Sequence, residues 1–221
     1  MTEWRDPSAS LGMTRKYMRK YLIAVAGLLI LLGAGCASKP SEENLNITFD
    51  EPVTETKTQT WEFPGVLAQE EIANKQIRVK TAKGDIVFEL FADTAPKTVS
   101  NFVYLTKGGY FNGLTFHRRE EGFVIQGGDP SGNGTGGPGY EFEDEVADSY
   151  QYKRGIVAMA NRGPNTNGSQ FFVMLGDVPL PKAYTIFGRV IEGMEVVDQI
   201  QVGDVMEAVA EAMGRGPQLA L

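Results

Sequence analysis

The sequence predicts a mainly β chain whose short strands close into an antiparallel barrel accompanied by two helices. Three observations predict it. Ile77 and Val79, then Ile86, Phe88 and Leu90, alternate on either side of Lys83-Gly84-Asp85, the pattern of a two-stranded hairpin. Further short apolar runs at 114–118, 123–126, 155–160, 170–175 and 185–190 are separated by Gly and Asn. Only two segments have helical spacing, and many short strands with few helices favour a barrel.

The first helix is expected from Pro96. Proline suits a first helical turn because its missing N–H would have had no partner there. Val99, Phe102, Val103 and Thr106 follow at helical spacing, and Gly108-Gly109 ends the run. A second, shorter helix is expected over Met194–Ile200. Val205, Glu207 and Val209 alternate and are read as a closing strand, with a helix as the alternative.

The amino-terminal third has a different character. Arg15, Lys16, Arg19 and Lys20 precede an apolar run, Tyr21 to Gly35, which ends in small residues before Cys36. A spanning helix needs roughly 20 apolar residues, so this run is short. The order basic, apolar, small is that of a secretory signal. The residues before Cys36 resemble a bacterial lipoprotein signal, in which that cysteine is lipidated. Gly33 departs from the pattern, which usually has a larger aliphatic residue three places before the cysteine. An uncleaved short anchor and ordinary signal cleavage are the alternatives, and translation starting at Met13 or Met18 would explain the long basic region. Residues 37–69 are rich in Ser, Thr, Glu and Pro and read as a solvated tether, with Trp61 and Phe63 able to dock locally. The expected organisation is a signal over 1–35, a lipidated cysteine and tether over 36–74, a folded domain over 75–211 and a loose tail over 212–221.

Composition narrows the function. The formal charge is −7, and without the first 35 residues 16 basic and 26 acidic groups remain. Nucleic acid is excluded as a partner, because phosphate binding needs clustered Lys and Arg. One cysteine and one histidine rule out an internal disulfide and fall short of the ligands a zinc site needs. The glycine-rich stretch 132–139 lacks the Lys-Ser or Lys-Thr of a phosphate loop, and the acidic run 141–145 lacks calcium-loop spacing. No cofactor and no metal are expected.

Three long stretches, "FHRREEGFVIQGGDPSGNGTGGPGYEFEDE" (116–145), "GIVAMANRGPNTNGSQFFVML" (155–175) and "YTIFGRVIEGMEVVDQI" (184–200), resemble the cyclophilin family. With "APKTVSNF", the resemblance runs in matching order from about Ile77 to Val209. It implies a closed eight-stranded antiparallel barrel capped by two helices, and an isomerase acting on the peptide bond before proline. It implies that Arg118 is the catalytic arginine with Gln126 beside it. Phe123 and Phe172 would be pocket phenylalanines and Gln170 a further pocket member. Met159, Ala160 and Asn161 would form the rim that holds substrate backbone, and Leu180 and Tyr184 would close the far side. Tyr184 stands where the family often has histidine. The tryptophan usual in cyclosporin-sensitive members is missing from "GDVPLPKAYTIFG", and Arg162 replaces a common small residue, which bears on the residue preferred before proline. Partners implied are proline-containing polypeptides and, through Cys36, a membrane; the chain is expected to act as a monomer.

These residue types suit the reaction. Rotation about X–Pro breaks amide resonance against a barrier of about 18–20 kcal/mol. A catalyst need only prefer the twisted state, in which a lone pair localises on the proline nitrogen. A guanidinium stays charged and presents fixed N–H donors. Taken singly, Arg118 fits a surface charge and the two phenylalanines fit a core. His117 alternates to the opposite face from Arg118 and is read as structural. Two functions stand: an isomerase aiding the folding of exported proteins, or a non-catalytic proline-peptide binding or scaffold domain.

Overall fold

The computed structural model describes residues 59–212. The expected signal, Cys36, the first part of the expected tether and all of the expected tail but Ala212 lie outside them. Strands β1 (Gln76–Thr81) and β2 (Gly84–Leu90) form the expected hairpin, paired from Gln76 with Glu89 to Thr81 with Gly84. The turn is one residue earlier than expected: Ala82 and Lys83 make it, and Gly84 begins β2. Thr81 pins this turn, its hydroxyl donating to Gly84 O at 2.8 Å and accepting from Lys83 N–H at 3.1 Å. Gly84 is required twice over. Its φ is +131°, and a Cβ there would lie 2.9 Å from Val196 Cγ2.

Helix α1 (Gln69–Ile72) is a single turn that no periodicity announced. Helix α2 (Pro96–Lys107) starts at Pro96 as expected and ends at Gly108, with Gly109 in the left-handed region at φ +75°. Val99, Phe102 and Val103 are fully buried on its inner side. Its N-cap residue, Ala95, has no capping side chain. Glu145 supplies the cap from far along the chain: its carboxylate accepts from Lys97 N–H at 2.9 Å, and from Thr98 N–H and hydroxyl at 2.8 Å each. An anion on these orphan donors also meets the positive end of the helix dipole. Glu145→Ala is therefore expected to lower stability by about 1–2 kcal/mol, read as a lower urea midpoint at unchanged slope. Glu145→Gln, which keeps an acceptor, should lose less.

The remaining strands are β3 (Arg118–Glu120), β4 (Val124–Gly127), β5 (Ile156–Met159), β6 (Phe171–Met174), β7 (Ile186–Glu192) and β8 (Ala208–Ala212), with α3 (Met194–Gln199) between the last two. All eight form one antiparallel sheet in the order β3-β4-β6-β5-β7-β2-β1-β8. The chain is mainly β, as predicted, with the second helix where expected. Register shifts at Val87/Phe88 and Val157/Ala158 are the irregularities that bend such a sheet.

Full barrel closure is not observed, because the edge strands β3 and β8 do not pair with each other. Their preceding segments meet instead. Thr115 and Val205 form one antiparallel bridge, Phe116 N–H donates to Asp204 O at 2.9 Å, and Met206 N–H donates to Leu114 O at 2.8 Å. The run 114–118 is thus a bridge followed by a short strand.

The sheet separates two apolar clusters. Phe88, Phe102, Phe111, Phe171 and Phe187 belong to the larger one, with α2. Phe91, Val124, Ile156, Ala158, Phe172, Met174 and Ile186 make the smaller one. Neighbouring residues in a strand point to opposite faces, so Phe171 joins the first cluster and Phe172 the second.

Packed structure begins before the boundary expected at 75. Trp61 meets Tyr104 and Tyr110 edge-on at ring distances of 5.6 and 5.3 Å, and Phe63 stacks on Phe142 at 5.0 Å. Leu67 N–H donates to Ser100 Oγ at 2.9 Å. The last part of the expected tether, from Trp61 onward, is a strap docked on the domain.

Candidate functional site

The site is built on the face of the sheet that carries the smaller cluster. A cavity of about 230 Å³ is lined by Arg118, Phe123, Val124, Gln126, Ala160, Asn161, Phe172, Leu180 and Tyr184. Pairing of β3 with β4 sets Arg118 opposite Gln126, and pairing of β4 with β6 sets Gln126 opposite Phe172. Arg118 and Gln126 from one stretch and Phe172 from another are thereby lined up across adjacent strands. Phe172 is only 6% exposed, and the Tyr184 ring meets it edge-on at 5.6 Å. Phe123 is half-buried, with the Arg118 guanidinium carbon 5.9 Å from its ring centre.

Arg118 is held on both flanks. Its Nη1 donates to Gln126 Oε1 at 3.0 Å. Its Nε donates to Glu120 Oε1 at 3.0 Å, and Nη2 donates to the same oxygen. Gln126 Nε2 in turn donates to Gln170 Oε1 at 2.9 Å, and Gln170 Nε2 donates to Gly134 O at 3.0 Å and Gly136 O at 2.9 Å. One hydrogen on each terminal nitrogen of Arg118 is left over from these contacts. The side chain remains 44% exposed, so a ligand can reach it.

The glycine loop at the end of this relay is shaped by Asp129. This carboxylate is 1% exposed and accepts backbone N–H groups from Ser131 at 2.8 Å and Asn133 at 3.0 Å, and another from Gly134. Burial alone would raise its pKa; the three N–H donors outweigh that and hold it below the usual carboxylate range.

Eight of the ten residues expected at the site line this cavity, and Gln170 stands a step behind them in the relay. Met159 does neither. Its side chain is fully buried in the larger cluster, because strand alternation turns it away from the face that Ala158 and Ala160 share. Asn161 has its side chain engaged elsewhere, Nδ2 donating to Ala183 O at 2.7 Å. His117, beside Arg118, has both ring nitrogens buried without a hydrogen-bond partner among the described residues. Burial first, and the Arg118 charge second, hold its pKa below the usual histidine range against the pull of Asp129.

Two residues were missed. Glu120 grips the guanidinium, and its place two residues from Arg118 on the same strand face was a readable signal. Tyr152 fixes Tyr184: its hydroxyl donates to Tyr184 O at 2.8 Å and accepts from Tyr184 N–H at 3.2 Å. Nothing in the local sequence announced that pairing. The acidic run has structural work throughout: Glu141 pairs with Arg162, Glu143 with Lys97, Asp144 accepts from Asn167, and Glu145 caps α2. Among the described residues, no group of three or more His, Cys, Asp or Glu side chains is placed to hold a metal ion.

Known proteins resemble this chain in sequence and in fold. A peptidyl-prolyl cis-trans isomerase of Helicobacter pylori is 48% identical over 148 residues, 65% of this chain and 91% of that protein. An Arabidopsis thaliana isomerase, CYP18-1, is 50% identical over 127 residues, 55% of this chain and 79% of that protein. The crystal structure of a Cryptosporidium parvum cyclophilin-type isomerase superposes with a TM-score of 0.60 at 36% identity, covering 64% of this chain and 99% of that one. A second crystal structure of it, in the presence of the dipeptide Ala-Pro, superposes with a TM-score of 0.59. The family model described as cyclophilin type peptidyl-prolyl cis-trans isomerase/CLD matches residues 76–213, more than half of the sequence, and the chain belongs to that family.

Proposed function

We propose that this chain, a cyclophilin-type peptidyl-prolyl cis-trans isomerase, turns X–Pro bonds at Arg118, in exported polypeptides, while tethered to a membrane through Cys36. The observation that carries the catalytic reading is the relay Glu120–Arg118–Gln126–Gln170 beside a cavity walled by Phe123, Phe172 and Leu180. The cavity accepts the proline ring. Arg118, locked by Glu120 and Gln126, offers a free N–H to the prolyl nitrogen as the amide twists and its lone pair localises. That contact is stronger in the twisted state than in either planar one, which is the condition for acceleration. A preference of about 7 kcal/mol would give roughly a 10⁵-fold rate. Main-chain groups at Ala160 and Asn161 hold the substrate backbone before the proline.

Glu120 acts as a positioning residue. It fixes the plane of the guanidinium, so no rotamer search is needed at the moment of reaction. Arg162 sits over a neighbouring cavity of about 90 Å³ that shares Gln126, Ala160 and Asn161 with the first. Its guanidinium is tied to Glu141 at 2.7 Å and Thr135 O at 3.2 Å, which supports a role in selecting the residue before proline. The bridge between Thr115 and Val205 supports reading the sheet as a barrel closed by those segments. The protein acts as a monomer.

The isomerase reading is tested by proline-limited refolding of a substrate protein with the full chain. Faster loss of the slow phase, in proportion to enzyme, is expected; binding of proline peptides with an unchanged slow phase would point to a scaffold instead. The anchor rests on the sequence alone: the basic cluster, the apolar run and Cys36. Cys36→Ser is expected to move the protein from the membrane to the soluble fraction. Unchanged retention on membranes would remove lipidation from the account.

A further inference from the structure

A cleft of about 310 Å³ adjoins the proline cavity; Tyr150, Tyr152, Val178, Pro179, Leu180 and Lys182 are among its lining residues. The catalytic reading gives it no task. Leu180 lines both spaces, so the cleft continues the substrate groove beyond one wall of the proline cavity. That wall is firm, because Tyr152 is hydrogen-bonded to both backbone groups of Tyr184. The floor is firm as well: the Tyr150 ring stacks on Phe91 at 4.1 Å with 5° between planes.

The lining suits an apolar guest. Two tyrosine rings, a valine, a proline and a leucine dominate it. Its charged rim is already paired: Asp177 accepts from Arg154 N–H at 2.9 Å and meets Lys153 at 3.5 Å, and Lys182 pairs with Asp148. No unmatched charge there would select a charged side chain. The volume is ample, since a dry cavity of roughly 150 Å³ takes a benzene ring. An extended peptide advances about 3.3 Å per residue, and residues two apart face the same way. With its proline seated beside Leu180, a peptide brings its next same-facing side chain to the neighbouring space. The opposite neighbour, which shares Ala160 and Asn161, is the place assigned to the residues before proline.

We propose that this cleft is a subsite for a large apolar or aromatic side chain of the substrate, two residues after the proline. The proposal rests on the isomerase reading and adds a sequence preference to it.

The test uses the full-length protein and peptides that hold one proline among alanines, with phenylalanine moved through each flanking position. Isomerisation is followed by NMR exchange, which needs no coupled protease. Phenylalanine two places after proline is expected to raise kcat/KM about tenfold over the all-alanine peptide, a gain in keeping with burying one ring. Val178→Glu, which puts a charge into the cleft, should abolish this gain and leave the all-alanine rate unchanged. Val178→Trp, which fills the cleft without charge, should do the same. The subsite is overturned if phenylalanine gives no gain at that position, or if the gain survives both variants. A wild type that fails on the all-alanine peptide as well would overturn the isomerase reading itself, a result separable from loss of the preference alone.

Discussion

Arg118→Ala is expected to lower kcat/KM for X–Pro isomerisation roughly 10²–10³-fold, the usual cost of removing one preorganised donor from a reacting centre. The loss should fall on kcat. The proline ring would still enter the cavity made by Phe123, Phe172 and Leu180, so peptide affinity should change only a few-fold. Arg118→Lys separates charge from geometry. A lysine carries the charge but lacks the planar fork that meets Glu120 and Gln126 together, and it should recover only a small part of the rate. Glu120→Ala leaves the guanidinium in place but frees one flank; a several-fold fall in kcat with an unchanged KM is expected, largely restored in Glu120→Gln, which keeps an acceptor. NMR line-shape analysis of a single Ala-Pro peptide measures all four proteins. If Arg118→Ala turned over at the wild-type rate, the catalytic reading would fail, whatever the family match.

Much of this site was legible because its parts sit in long runs whose neighbours identify them. Arg118, Phe123 and Gln126 fall within one stretch of nine residues, and Phe172 lies in another; strand pairing then lines them up across the sheet. Met159 shows the limit of reading by neighbourhood. It lies in the right stretch, but one step of strand alternation places its side chain in the core. What was not legible depends on partners remote in sequence. Glu145 caps a helix that begins 49 residues earlier, so the run that contains it looks like a solvated acidic segment. Trp61 and Phe63 dock on rings from α2 and beyond, as the sequence allowed, but the extent of the strap around them was not legible, because a strap that borrows its stability from another surface needs no period of its own. Barrel closure was not legible for a related reason: alternation predicts strands, but whether two edge strands meet depends on the accumulated bend of all the others.

Phe102→Ala should produce the largest loss of stability while sparing the chemistry. The Phe102 ring is fully buried and touches four others, at centroid distances of 5.7 Å to Phe88, 4.6 Å to Phe111, 5.4 Å to Phe171 and 5.1 Å to Phe187. It joins α2 to three strands of the sheet through one hub. Truncating it removes the buried ring and leaves a cavity that the strands cannot collapse into, at a cost of about 3–5 kcal/mol. For a domain of this size each kcal/mol lowers Tm by about 2–4 °C, so a drop of roughly 10 °C or more is expected by calorimetry. The cavity opens on the face opposite Phe172 and Arg118. At a temperature where the variant is still folded, kcat/KM should therefore stay within a few-fold of wild type. A collapse of activity in the folded variant would mean that the two faces of the sheet are mechanically coupled, through the adjacent pair Phe171 and Phe172, more tightly than strand alternation alone provides.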